Sequence, residues 1–119
     1  MRFRFPAQLR VRRRREFERA FAWGIRASDA RLTIWAYPNG LDHPRLGLIV
    51  GRKHGNAVRR NRIKRVLREA FRLSQHNLPA GLDLLCAPRR GAEIELEACT
   101  QSLRRLATRL ARHAGLERS

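Results

Sequence analysis

A chain of 119 residues is close to the modal size of one domain, so a single core is expected and a second domain does not fit. Hydrophobic residues make up 43% of it, enough for a packed interior, yet Lys and Arg outnumber Asp and Glu by 27 to 10, a net charge of +17. That excess argues against an ordinary enzyme of small neutral substrates and calls for a polyanion: nucleic acid leaves the apolar residues free to build a core, whereas an anionic membrane would take up an exposed apolar helix face.

Only Lys53 and Lys64 are lysine, a ratio that G+C-rich coding explains without explaining the total. The opening residues, MRFRFPAQLRVRRRR, lack the apolar run of a secretory signal, and no stretch approaches the ~18 apolar residues of a membrane span. The expectation is a soluble, cytoplasmic protein with no membrane contact; an organellar transit peptide, also Arg-rich and acid-free, is the alternative. Residues 1–12, with Pro6 among them, are expected to form a flexible basic arm.

From about Arg13 to Trp23 the spacing of Phe17, Ala20 and Phe21 gives one apolar helical stripe, and Gly24 is placed to end it. ARLTIWAYP alternates with period two: Leu32, Ile34 and Ala36 share one face of a strand and Thr33, Trp35 and Tyr37 the other. The turn residues Pro38, Asn39, Gly40 and Pro44 follow, then RLGLIVG, which reads as a second strand in a hairpin with the first. Gly55 and Asn56 mark the turn into a helix running to about His76, with Asn56 as N-cap. On that helix Ile63, Val66, Leu67, Ala70 and Phe71 fall in one arc and Asn61, Lys64, Arg65, Arg68 and Arg72 in the opposite one. The apolar run Leu82 to Ala87 suits a central strand buried on both faces, and residues from about Glu95 to His113 form a last amphipathic helix whose end charges suit its dipole. The sum is a small α+β domain, a sheet covered by helices.

Cys86 and Cys99 fall at apolar positions and are expected to be reduced core residues; no four ligands cluster in the sequence to hold a metal. The acids and the four histidines show no spacing that suggests acid/base catalysis, and His54 reads as a turn residue or a phosphate contact. Residues 45–72, in contrast, carry ten Arg or Lys and one acid, Glu69. A merely solvated face would mix signs to gain i,i+4 pairs, so a one-signed face backed by a core stripe points to phosphates. A strand, not a helix, leads into this helix, which argues against helix-turn-helix reading of DNA. Phe17, Phe21, Trp35 and Tyr37 could instead offer stacking faces to unpaired RNA bases, although Phe17 and Phe21 serve equally well as core.

The stretch GNAVRRNRIKRVLREAF, with Arg60-Asn61-Arg62 followed by Lys64, Arg65 and Arg68, resembles the signature helix of the protein subunit of bacterial ribonuclease P. RLGLIVGRKHGNAV and REFERAFAWG resemble the preceding strand and turn and the first helix of that family. The resemblance implies a small single-domain α/β sandwich of about four mixed strands and three helices, a left-handed crossover through the basic helix and an edge strand near Ile25 to Ser28. It implies a protein that binds the catalytic RNA of a ribonucleoprotein and assists removal of the 5′ leader of precursor tRNA. The RNA performs the hydrolysis with magnesium ions, so no catalytic residue, bound cofactor or protein partner is required of this chain. Carried over, Asn56, Arg59, Arg60, Asn61, Arg62, Lys64, Arg65, Arg68 and Arg72 face the RNA subunit, and Phe17, Phe21, Trp35, Arg52, Lys53 and Arg90 form the leader cleft. Trp35 stands where the family more often has tyrosine, which keeps a stacking face and loses a hydroxyl. The alternative is a structural RNA-binding protein of ribosomal type or an RNA chaperone, neither of which needs leader selectivity.

Overall fold

The apolar run Leu82 to Ala87 takes the centre of the sheet. The computed structural model describes residues 5–114. Along the chain lie helix α1 (Arg14–Trp23), strands β1 (Ile25–Ser28), β2 (Leu32–Pro38) and β3 (Arg45–Leu48), helix α2 (Ala57–Ser74), strand β4 (Leu82–Pro88) and helix α3 (Leu96–His113). The strands form one mixed sheet in the order β1-β2-β4-β3. Every residue of β4 is buried, as expected of a strand with neighbours on both edges and helices over both faces.

That placement corrects the expected hairpin. β2 pairs β4 antiparallel and β3 pairs β4 parallel, so β4 lies between the two strands that the sequence suggested were partners. The turn residues after β2 bond to the start of β4 instead of closing a hairpin: Asn39 donates its backbone N–H to Gly81 O at 2.9 Å and its side-chain amide to Asp83 Oδ1 at 2.9 Å. The parallel return from β3 to β4 is then carried by α2, the long crossover such a pair needs. The edge strand β1 forms as the resemblance implies, pairing antiparallel with β2 through Ile25↔Ala36 to Ser28↔Thr33.

The alternation in β2 holds. Leu32, Ile34 and Ala36 join Leu84 and Cys86 in the main core, packed with Ile63, Leu67 and Phe71 of α2 and Cys99, Leu103, Leu106 and Leu110 of α3. Trp35 and Tyr37 point to the other face, where α1 alone packs, around Val11, Ala20 and Leu85. Cys86 and Cys99 are buried free thiols whose ionisation burial makes harder still, which makes them poor nucleophiles.

Of the basic arm expected over residues 1–12, residues 5–12 pack on the domain, and Met1 to Arg4 lie outside the described residues. Phe5 is buried against Phe71 in an edge-to-face contact with centroids 5.5 Å apart. Ala7–Leu9 make a single 3₁₀ turn, and the chain then bridges β3 in parallel, Val11 N–H donating to Leu46 O at 2.9 Å. An aromatic and a valine among the arginines supply enough apolar area to dock this segment along the open edge of the sheet.

Two polar clusters set the geometry. Arg45 on β3 grips Asp83 of β4 with two bonds, Nε to Oδ1 at 2.8 Å and Nη2 to Oδ2 at 2.7 Å, and reaches Glu16 of α1 at 2.9 Å. Asp83 is buried and the other two are mostly so, and the two carboxylates push the Arg45 pKa up. Asp29, between β1 and β2, accepts from the N–H groups of Arg31 and Leu32 at 2.8 Å and from Arg105 of α3 at 3.0 Å. Burial alone would raise its pKa, but those donors hold the carboxyl at about 2 against an ordinary 3.8.

Arg45→Met is expected to cost about 3–5 kcal/mol in urea unfolding because it strands the buried Asp83 charge; Arg45→Met with Asp83→Leu recovers most of it, and a single variant as stable as wild type would contradict this account. For Asp29 the depressed pKa means a contribution complete above its unfolded value near 3.8 and lost as pH falls through about 2. Asp29→Asn keeps the acceptor and removes the charge, so its stability deficit of about 1–2 kcal/mol near pH 5 should shrink steadily toward pH 2. A deficit independent of pH would rule out the charge as its cause.

Candidate nucleic-acid interface

The basic helix α2 begins at a turn built for it. Gly55 has φ of +115°, a conformation that L side chains avoid, and an added Cβ would lie 2.5 Å from Arg59 Cδ. Asn56 caps the helix as expected, its Oδ1 accepting from Arg59 N–H at 2.9 Å. Arg59 and Arg60 then fold their Nε–H groups back onto the carbonyls of His54 and Gly55, at 3.1 and 3.2 Å, which fixes both guanidinium planes at the start of the helix.

Further along, the core arc of Ile63, Leu67, Ala70 and Phe71 is buried, and Asn61, Arg62 and Arg65 are exposed. Lys64 and Arg68, expected on the outward arc, are instead half-buried on its flank because the segment around Arg10 lies against them. Arg72 also departs from the expected free ridge: it pairs with Glu69, Nε to Oε1 at 2.8 Å. Arg59 and Arg62 share a groove with Glu93 and Glu95, so the α3 side of α2 is of mixed sign.

The aromatic candidates divide. Phe17 is half-buried in the packing between α1 and the sheet, and Gly47 lets it in: a Cβ there would meet Phe17 Cζ at 3.0 Å and Val11 Cβ at 3.2 Å. Phe21 is 46% exposed and stands edge-on to Trp35, ring centroids 5.1 Å apart and planes at 85°. Arg26, exposed on β1, is the register partner of Trp35. The sheet face under α1 thus carries an open aromatic pair with a guanidinium beside it, and Arg26 had no motif to announce it in the sequence.

Arg52 and Lys53 are exposed on a 3₁₀ turn, Arg52–His54, anchored by the buried His54. Gly51 N–H donates to His54 Nδ1 at 3.0 Å and the other ring nitrogen lies 2.9 Å from Pro88 O, so Nε2 carries the proton and the ring ties the turn to the end of β4. His54 is a turn residue with no base left to offer. Lys53 lines a pocket of about 180 Å³ with Arg59 and Arg89. Arg89 and Arg90 are both exposed after β4, and of the two Arg89 lines this pocket.

What the sequence did not reveal is a cleft of about 300 Å³ at the edge of β3, lined by Arg10, Arg12, Lys64 and Arg68 together with Phe5, Val11, Phe17, Leu46 and Leu48. It joins the two predicted surfaces, because Phe17 belongs to one and Lys64 and Arg68 to the other. Among the described residues four cations line it and no carboxylate does. Burial, and then the Arg10 charge, lower the Arg68 pKa; Arg10 stacks over Phe5 at 5.7 Å, and its Nε is buried without a hydrogen-bond partner among the described residues. Among the described residues no three His, Cys, Asp or Glu side chains gather as a metal site would require, and no helix is long and apolar enough to cross a membrane.

A sequence model of the family described as Ribonuclease P matches residues 5–111. The chain is 43% identical over 104 residues to the ribonuclease P protein component of Photorhabdus laumondii, a match covering 86% of this chain and 87% of that protein. It is 44% identical, with the same coverage, to the ribonuclease P protein component of Haemophilus influenzae. Among solved structures, the RNase P protein of Thermotoga maritima is similar with a TM-score of 0.77 at 33% identity, covering 84% of this chain and 96% of that one. The RNase P protein of Staphylococcus aureus gives 0.72 at 27% identity, covering 91% and 96%. A four-stranded mixed sheet flanked by three helices, an arginine-rich helix α2 and these matches together place the chain in the ribonuclease P protein family, the protein component of the ribonucleoprotein endoribonuclease that processes tRNA.

Proposed function

We propose that the chain docks on the catalytic RNA of ribonuclease P through the Arg10–Lys64–Arg68 cleft and the outward ridge of α2, Asn61 and Arg65, and holds the single-stranded 5′ leader of precursor tRNA on the α1 face of the sheet. The observation that carries the docking is the cleft itself. Four cations held around one opening repel one another, and a phosphate seated there would offset that repulsion and accept from the orphaned Arg10 Nε. Arg59, Arg60 and Arg62 would add contacts nearer the leading turn, Arg59 and Arg62 on the α3 side of the helix.

Phe21 and Trp35 would stack unpaired bases, with Arg26 contacting the backbone beside them. Phe17 supports this platform from below, while Arg52, Lys53, Arg89 and Arg90 lie past the end of β4 and would extend the leader track. Mature tRNA has no leader to fill that track, so the protein would raise affinity for precursor over product. Magnesium, expected in the RNA-containing holoenzyme, is assigned to the RNA. The relatives compared above bear ribonuclease P names, which favours this reading over the ribosomal or chaperone alternative.

Phe21→Ala with Trp35→Ala should weaken precursor tRNA binding by the holoenzyme about tenfold or more, given roughly 1–3 kcal/mol per stacked base, and leave mature tRNA binding alone. An unchanged ratio of the two affinities, measured by filter binding, would sink the leader assignment. Docking on the RNA subunit through about six phosphates should give log K a slope of roughly −4 to −5 against log salt, and Arg65→Gln with Arg68→Gln should flatten it by about 1–2. A slope the pair does not move would place the docking face elsewhere.

A further inference from the structure

The last helix carries a second one-signed face that the site described above does not use. At about 100° per residue, Gln101, Arg104, Arg105, Arg109 and Arg112 of α3 fall in one arc opposite the buried Cys99, Leu103, Leu106 and Leu110. All five are exposed. From Ala98 to His113 the helix has no acid, so its arginines gain no i,i+4 ion pair within the helix.

The face is also concave. Arg104, Arg105, Arg109 and Arg112 of α3, with Gln101, form the wall of a groove of about 580 Å³ that Asn77, in the turn after α2, closes on the other side. Among the described residues no carboxylate lines it. Arg105 is held in place by Asp29 at 3.0 Å, so one guanidinium of the row is fixed from the far side. The core stripe behind the helix fixes the rest of the face outward, and successive i,i+4 guanidinium groups step about 6 Å along the axis. Polar donors with no aromatic or apolar wall suit a phosphodiester backbone rather than unstacked bases.

We infer that this α3 groove is a second RNA contact, which clamps the backbone of a double-helical segment of the ribonuclease P RNA without reading its sequence. α3 covers the same sheet face as α2, and the aromatic platform lies on the opposite face, so the groove faces the side assigned to the RNA subunit and not the side assigned to precursor tRNA. The inference rests on the proposed function for the identity of the RNA, but concerns residues outside the docking face given there.

The test is the full-length protein with Arg104→Gln and Arg109→Gln, titrated onto ribonuclease P RNA over a range of salt. The slope of log K against log salt should flatten by about 1–2, additively with the Arg65 and Arg68 pair, with the thermal melting of the free protein unchanged. Because Cys86 and Cys99 are buried, an iron chelate can be tethered at Thr108→Cys alone; it should direct hydroxyl-radical cleavage to a helical RNA segment different from that cut from Asn61→Cys. A slope unmoved by the Arg104 and Arg109 pair but flattened by the Arg65 and Arg68 pair overturns this inference only. A slope unmoved by either pair overturns it and the proposed function together.

Discussion

One guanidinium, that of Arg45, ties together three elements that share no sequence neighbourhood. It sits on β3, holds Asp83 on β4 and reaches Glu16 on α1. Glu16 in turn accepts from the Arg13 N–H that opens α1, at 3.2 Å, so the start of that helix and the adjacent strands of the sheet are fixed by one network. A buried pair of this kind adds little net stability over apolar packing, but it allows only one arrangement of the parts it joins. Here the arrangement sets where α1 crosses the sheet, and hence which part of the sheet stays open.

The consequence is two unlike faces. Two helices cover one side and seal the main core, while a single ten-residue helix covers the other and leaves aromatic side chains accessible. The edge of β3, where the segment around Arg10 docks, is the seam between them. Cations from two places in the chain, the segment around Arg10 and helix α2, meet at that seam beside Phe17 of the α1 face.

How much of this was legible depended on whether the determining contact was local. The amphipathic phasing of α2 and α3, the Asn56 cap, the two faces of β2 and the double burial of β4 are short-range patterns, and each is found where its residues indicate. Strand partnership was not legible, because Asn39 and Asp83 decide it from 44 positions apart. The packing of the segment around Arg10 was not legible for a related reason: its arginines dominate the composition, whereas Phe5 and Val11 fix its position, and their partners Phe71 and Leu46 are distant in sequence. For the candidate site, the family resemblance supplied the two surfaces and folding supplied their junction. It moved Lys64 and Arg68 into a cleft, engaged Arg72 with Glu69, and set Arg89 in one pocket with Lys53.

Gly47 shows how fine the setting of the open face is. It lies on β3 beneath α1, where Phe17, Val11 and Leu85 all come within 3.3 Å of the place a β-carbon would occupy. Helix and sheet are therefore separated by one aromatic ring and no more. Any side chain at this position would act as a shim, lifting α1 and deepening the trough beside it, so the calibre of the open surface is set by an atom that the sequence leaves out.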